Sequence, residues 1–308
     1  MFIKQFTYLV ALAAEQHFGR AAARCDVAQP TLSNGIKQLE NELGLPIVRR
    51  HQRFQGFTPE GQRVLEWAER ILADRDAMLQ ELSEMRGDLH GRLRIGVVPT
   101  ALPLMPRVTR PFCERHPGAS VAVMSQSSAE IQRGLDNFEI DLGVTYLDNE
   151  PIRHVRSVPL YRECYCLLIP DDGRFAKASS VTWKTAAAQP LCLLSSDMQN
   201  RRIIDAAFRD AGQQPAPQIE TNSIGQLGLH VATGAWCSVV PEHFLATQNI
   251  PPGTRALPLI APRVGHLVGF VISDGEPVPP MAKAMLAVAE TLDETNLFGR
   301  ARDGAVAI

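Results

Sequence analysis

The chain has 308 residues, 45% of them apolar and 21% charged, with a formal net charge of -2. That length implies two or three domains, and the composition is that of packed globular proteins rather than of disordered chains. No stretch approaches the roughly 18 uninterrupted apolar residues of a membrane span, and six cysteines without a C-x-x-C pair argue against a disulfide framework or a zinc site and fit a reducing cytoplasm.

Lys4 and the apolar residues after it have the look of a signal peptide, but the stretch is short and Thr7 and Tyr8 break it. Phe6, Leu9, Val10 and Ala13 instead recur at the spacing of a helix's buried face. Gly19 to Cys25 is alanine-rich and favours a second helix, Asp26 to Gln29 offers turn chemistry, and Pro30 suits a helix N1 position. A helix is predicted from Pro30 to about Leu43, with Leu32, Ile36, Leu39 and Leu43 as its buried stripe and Gly44 as its C-cap. Two short helices joined by a tight turn predict a helix-turn-helix.

The opposite face of the Pro30 helix carries Gln29, Thr31, Ser33, Asn34, Lys37 and Gln38. Such side chains bond base edges or phosphates when a helix enters the major groove, although an isolated helix with this face would be read as merely solvated. The next segment of the chain decides for nucleic acid. Residues 45–58 hold Arg49, Arg50, His51 and Arg53 and no acid, and suit a β-hairpin wing on the DNA backbone. Residues 1–61 hold seven Lys/Arg against five Asp/Glu, while the rest of the chain is net acidic.

The run HFGRAAARCDVAQPTLSNGIKQLENELGLPIVRRHQRFQGFTPEG resembles the DNA-binding segment of LysR-type regulators. The alanine-rich helix, the Gln-Pro-Thr-Leu-Ser entry, the Leu-Glu-x-Glu-Leu-Gly exit and the Thr-x-x-Gly after the wing stand in order. The resemblance assigns Gln29, Pro30, Thr31, Ser33, Asn34 and Lys37 to the recognition helix and Arg50 and Arg53 to the wing. Asn34 stands where a basic residue is usual, and Ile47-Val48 where a Leu-Phe pair is usual, which implies a less basic footprint.

Thr58, as N-cap, and Pro59 open a third long helix. Val64, Ile71, Met78 and Met85 recur every seven residues, as do Leu65, Leu72, Leu79 and Arg86, giving a seam for a partner helix or for the helix's own domain. The resemblance makes it the linker helix of a homodimer, and dimerisation sets two recognition helices about one DNA turn apart.

From Arg92 strands alternate with helices, which predicts parallel α/β architecture. Strands are expected at 93–98, 120–124, 141–146, 163–169, 191–194, 218–220 and 238–240, and helices near 102–114, 129–137, 201–211 and 224–233. Cys164 and Cys166 share a strand face as buried apolar groups rather than as a redox pair. The carboxyl ends of the strands carry Thr100, Ser125, Ser128, Thr145, Ser195, Ser196, Thr221 and Asn222. Helix capping explains any one of these; their repetition favours a ligand cleft.

This part resembles the effector domain of the same family, which implies two periplasmic-binding-protein-like lobes crossed twice by the chain. Ser128, Ile131, Leu135, Ile140, Asp141 and Leu142 carry the family pattern. The resemblance points to Thr100 and Ser128 as effector contacts, then Ser196, Met198, Thr221 and Asn222; Ser125 and Thr145 join them as effector-binding candidates from their strand ends. Helix N-termini with hydroxyls suit a small anion such as a carboxylate.

The domains expected are a winged helix-turn-helix at 1–58, a linker helix at 59–89 and an effector domain at 90–308. The expected partners are double-stranded promoter DNA, a second copy through the linker helix with assembly to a homotetramer, RNA polymerase and a small-molecule effector, with no cofactor, metal or membrane. None of H-E-x-x-H, G-x-S-x-G, G-x-x-x-x-G-K-[ST] or G-x-G-x-x-G occurs, so an enzyme is disfavoured. A solute-binding protein would share the second fold but has no use for the first ninety residues.

Overall fold

The computed structural model describes residues 1–50, 54–244, 251–292 and 297, and the chain forms two compact units, the first of Met1–Gly87 with Asn137–Glu139 and the second of the rest from Asp88. The first unit opens with α1 (Ile3–Glu15), α2 (Phe18–Arg24) and α3 (Gln29–Leu43). A hairpin of β1 (Val48–Arg50) and β2 (Phe54–Phe57) and the long α4 (Pro59–Glu84) complete it. Phe6, Leu9, Leu12, Leu32, Ile36, Leu39, Ile47 and Leu65 form its buried core. Two expectations shift. Val10 and Ala13 are only half-buried because the inner face of α1 is turned toward Leu12, and Leu43 is exposed because it ends α3 beyond the core. Gly44 closes α3 in the left-handed conformation, φ 70°, as a C-cap requires.

The turn from wing to α4 has a strict steric origin. The Thr58 hydroxyl accepts from Gly61 N at 2.8 Å and donates to Pro46 O at 2.7 Å. A Cβ on Gly61 would stand 2.1 Å from Ile47 O, so only glycine fits there. This is the physical content of Thr-x-x-Gly.

The second unit holds an eight-stranded sheet. Its first part is β3 (Gly91–Val97), flanked by β4 (Ala119–Ser125) and β5 (Leu142–Tyr146), both parallel to it. The helices α5 (Met105–Arg115) and α6 (Ser128–Asp136) connect these strands. The strand β6 (Val155–Pro170) then runs 16 residues, starting well before the position read from the sequence, and passes from one lobe into the other.

The second lobe contains β7 (Val181–Thr182), α7 (Trp183–Ala187), β8 (Cys192–Leu194), α8 (Gln199–Asp210), β9 (Ile219–Thr221), α9 (Ile224–Ala232), β10 (Ser238–Pro241) and β11 (Thr254–Ile260). The chain returns through β12 (Gly265–Ser273) and α10 (Pro280–Glu290). The sheet is mixed rather than parallel: β12 enters from the far lobe and pairs antiparallel with β5 and with the first half of β6, while β10 and β11 pair antiparallel with its second half. No helix among the described residues is long and apolar enough to cross a membrane.

Candidate functional site

In the first unit, Gln29, Pro30, Thr31, Asn34 and Lys37 are exposed on α3 and Ser33 is half-buried, opposite the buried Leu32, Ile36 and Leu39. Three acids of this unit, Glu15, Glu40 and Glu42, are turned to internal work. Glu40 accepts from Ile47 N and Val48 N at 2.9 and 3.0 Å, tying the wing to α3. Glu15 engages Arg20 and Arg24 at 3.5 and 3.3 Å, and Glu42 pairs with the N-terminal amine. The His17 side chain caps α2 by accepting from Gly19 N and Arg20 N, which fixes the turn between α1 and α2. Arg49 is exposed and Arg50 closes β1, whereas Arg53 lies outside the described residues. Along α4, Leu65 and Ala68 are buried while Trp67 is exposed in its first half, and Met78, Leu79, Leu82 and the C-cap Met85 leave an apolar seam open on its second half.

In the second unit, polar side chains converge where β6 crosses between lobes. Glu163, fully buried at mid-strand, accepts from the Tyr146 hydroxyl at 2.5 Å, from Tyr161 at 3.4 Å and from Asn200 Nδ2 at 3.4 Å. Thr100 bonds the Tyr146 hydroxyl at 3.1 Å, and Asn200 Nδ2 donates to it at 3.1 Å. His243 Nε2 donates to Thr100 O at 2.9 Å, which leaves Nδ1 facing Glu163 Oε2 at 4.0 Å. Burial pushes the Glu163 carboxyl up to about 7 and the His243 imidazole down to about 4, so both are neutral in weakly acidic solution.

The first turn of α8 latches the lobes together. Gln199 bonds Thr145 Oγ1 at 3.4 Å and Asn149 O, Asn200 reaches Tyr146, and Arg202 Nη2 pairs with Glu150 at 2.5 Å.

Of the effector contacts expected from the sequence, Thr100 and Thr145 belong to this junction and Met198 sits buried at the N-cap of α8. Ser128 is buried in the first turn of α6, but the capping is done by Ser127, whose hydroxyl accepts from Glu130 N. Ser125, Ser196 and Asn222 are exposed, and Thr221 accepts from Ser223 N within its own turn. Asp141 holds Arg94 through its backbone N and guanidinium, a structural clamp.

Sequence reading missed Tyr146, Tyr161, Glu163, Tyr165, Gln199, Asn200 and His243. One signal was present: Tyr161, Glu163, Tyr165, Leu167 and Ile169 alternate on one strand face, so an acid stands in a buried row.

Three thiols are built for packing, whereas Cys164, expected to be buried beside Cys166, is only half-buried on the strand, and Cys113 is exposed. Cys166 and Cys192 lie in one apolar cluster, Cys237 in another, and burial pushes Cys192 and Cys237 up to about 11 and Cys166 higher still.

An exposed polar helix in a winged helix-turn-helix, on one chain with a two-lobed unit whose lobes meet at buried polar groups, defines a DNA-binding regulator with a sensory domain. Residues 3–62 match the family described as bacterial regulatory helix-turn-helix protein, lysR family, and residues 86–293 match the LysR substrate binding domain. The chain belongs to the LysR family of transcriptional regulators.

It is similar to the DNA-binding transcriptional dual regulator OxyR of Escherichia coli, at 29% identity over 280 residues and 90% and 91% of the two chains. It is also similar to the regulator XapR of Escherichia coli, at 26% identity over 289 residues and 94% and 97% of the two chains. A solved full-length OxyR variant from Pseudomonas aeruginosa matches with a TM-score of 0.73 at 26% identity over 94% and 97% of the chains. CbnR complexed with its target DNA shares the fold, with a TM-score of 0.68 at 21% identity over 94% and 99% of the chains.

Proposed function

We propose that this protein binds promoter DNA as a homodimer, paired into a homotetramer, and that a small molecule held at the Glu163 junction alters how the two DNA sites are spaced or bent. The observation that carries the DNA reading is the face of α3: Gln29, Thr31, Asn34 and Lys37 are exposed in register on the side away from the core. Such side chains supply donors and acceptors to base edges, while Arg49 of the wing suits phosphates. The open seam of Met78, Leu79, Leu82 and Met85 on α4 supports pairing with a second copy.

The sensory action is binding rather than bond-making, and the ligand shifts the populations of two lobe arrangements through the latch at α8 and His243. RNA polymerase is the machinery whose access the altered DNA path changes. Cys166, Cys192 and Cys237 are disfavoured as a peroxide-reactive sensor, because burial holds them in the unreactive thiol form.

Nuclease footprinting of the full-length protein on the DNA upstream of its own gene tests this. Two protected half-sites about one helical turn apart are expected. Uniform protection without sequence preference would contradict it.

A further inference from the structure

The junction between the lobes leaves some of its own polar atoms unmet. Tyr146, Tyr161 and Asn200 aim donors at the Glu163 carboxyl, so its ionised form acts as an acceptor. Asn200 Oδ1 has no hydrogen-bond partner among the described residues, although the residue is only 3% exposed, and the Tyr165 hydroxyl, on a residue 1% exposed, meets only the polar groups of Tyr146 and Glu163. The amide oxygen can only accept and the phenol can accept. Tyr165 faces Tyr146 and Glu163, which places its hydroxyl and the unmet amide oxygen around one carboxyl. Among the described residues no Lys or Arg pairs with Glu163; the basic group beside it is His243, kept neutral by burial. Unmet buried acceptors destabilise a fold unless something donates to them.

We propose that the effector at this junction presents a pair of N–H donors, of the amidine or amide kind, to Glu163, Asn200 and Tyr165, and that carboxylates are rejected. This rests on the reading of the junction as the effector site, and it replaces the small anion expected from helix N-termini. A cationic ligand of this kind takes Glu163 from acid to carboxylate, and the proton passes to the buffer.

The test uses three molecules of one shape, acetamidinium, acetamide and acetate, titrated into the full chain and followed by saturation-transfer NMR. Acetamidinium and acetamide bind saturably, acetamidinium at least about tenfold tighter than acetate, because a charged donor meets an acidic group. Glu163→Gln weakens acetamidinium about tenfold and acetamide less. Asn200→Leu weakens both, and so reports independently if the first variant folds poorly.

Calorimetry in two buffers at pH 6 shows the release of about one proton per acetamidinium, absent in Glu163→Gln. The groups facing that proton are Tyr146 of β5, Tyr161 and Tyr165 of β6, Asn200 of α8, Thr100 and His243. Acetate binding as tightly as the donors, indifference to both substitutions, or no saturable binding of either donor overturns the proposal. Operator binding measured on the same preparation separates that outcome from failure of the regulator reading, since the ligand chemistry can be wrong while DNA binding stands.

Discussion

The head and the sensory unit put polar side chains to opposite uses. On α3 they stand exposed on a helix whose other face is buried, so the residues available to DNA are whatever the core does not need. At the lobe junction they are buried, and each is held by partners from distant parts of the chain: Tyr146 lies 17 residues from Glu163, Asn200 lies 37 from it, and His243 lies 143 from Thr100. A surface built by periodicity tolerates change one residue at a time; a buried network does not, because each removal strands the others.

The comparison is sharpest where glycine sets the geometry of the head. Gly61→Ala forces a methyl group onto Ile47 O and should destabilise the first unit by about 3 kcal/mol, seen as early unfolding of that unit with ligand-site behaviour unchanged. An unshifted transition would show that the wing turn relaxes freely.

The buried pair gives the next largest effect, through pH. Glu163 in the fold keeps its proton up to about 7 against 4.5 in the unfolded chain, so its contribution falls as pH rises through that window. His243 refuses its proton down to about 4 against 6.5, so its contribution falls as pH drops through that window. Over the range the two windows share the slopes oppose and the wild type is nearly flat. Glu163→Gln exposes the histidine slope, with stability rising by roughly 1 kcal/mol per pH unit, and His243→Gln exposes the opposite slope. Denaturant midpoints across that range check both signs; parallel behaviour of the two variants would break the pairing.

A smaller loss is expected from Thr58→Ala, which removes the α4 cap and costs about 1 kcal/mol by thermal unfolding. Ser125→Ala and Asn222→Ala should change stability by less than about 0.5 kcal/mol and leave ligand response intact, because both side chains are exposed.

Legibility in the sequence followed the same division. The Leu32, Ile36 and Leu39 stripe, the Gly44 stop and the Thr58-Pro59 start depend on neighbours within a few residues, and they stand as read. The strands β11 and β12 and the helix α10 were not read. The two strands pair with β5 and β6, far back in the chain, and β12 turned an expected parallel sheet into a mixed one.

Thr100 and Thr145 were legible as hydroxyls at strand ends. Glu163 was visible only as an acid within an apolar strand, and nothing local announces that Tyr146, Asn200 and His243 close around it. Exposed hydroxyls such as Ser125 and Ser196 carried the same local signal as Thr100, and only tertiary packing separates them.

Reading of DNA by the outer face of α3 is the central claim. Replacing Thr31, Ser33 and Lys37 together by alanine and titrating the purified protein against its own upstream DNA, at fixed salt, tests it most directly. The expected result is at least about a hundredfold loss of affinity for that DNA over unrelated duplex, with the unfolding transition unchanged. Retained preference in a folded triple variant would contradict it.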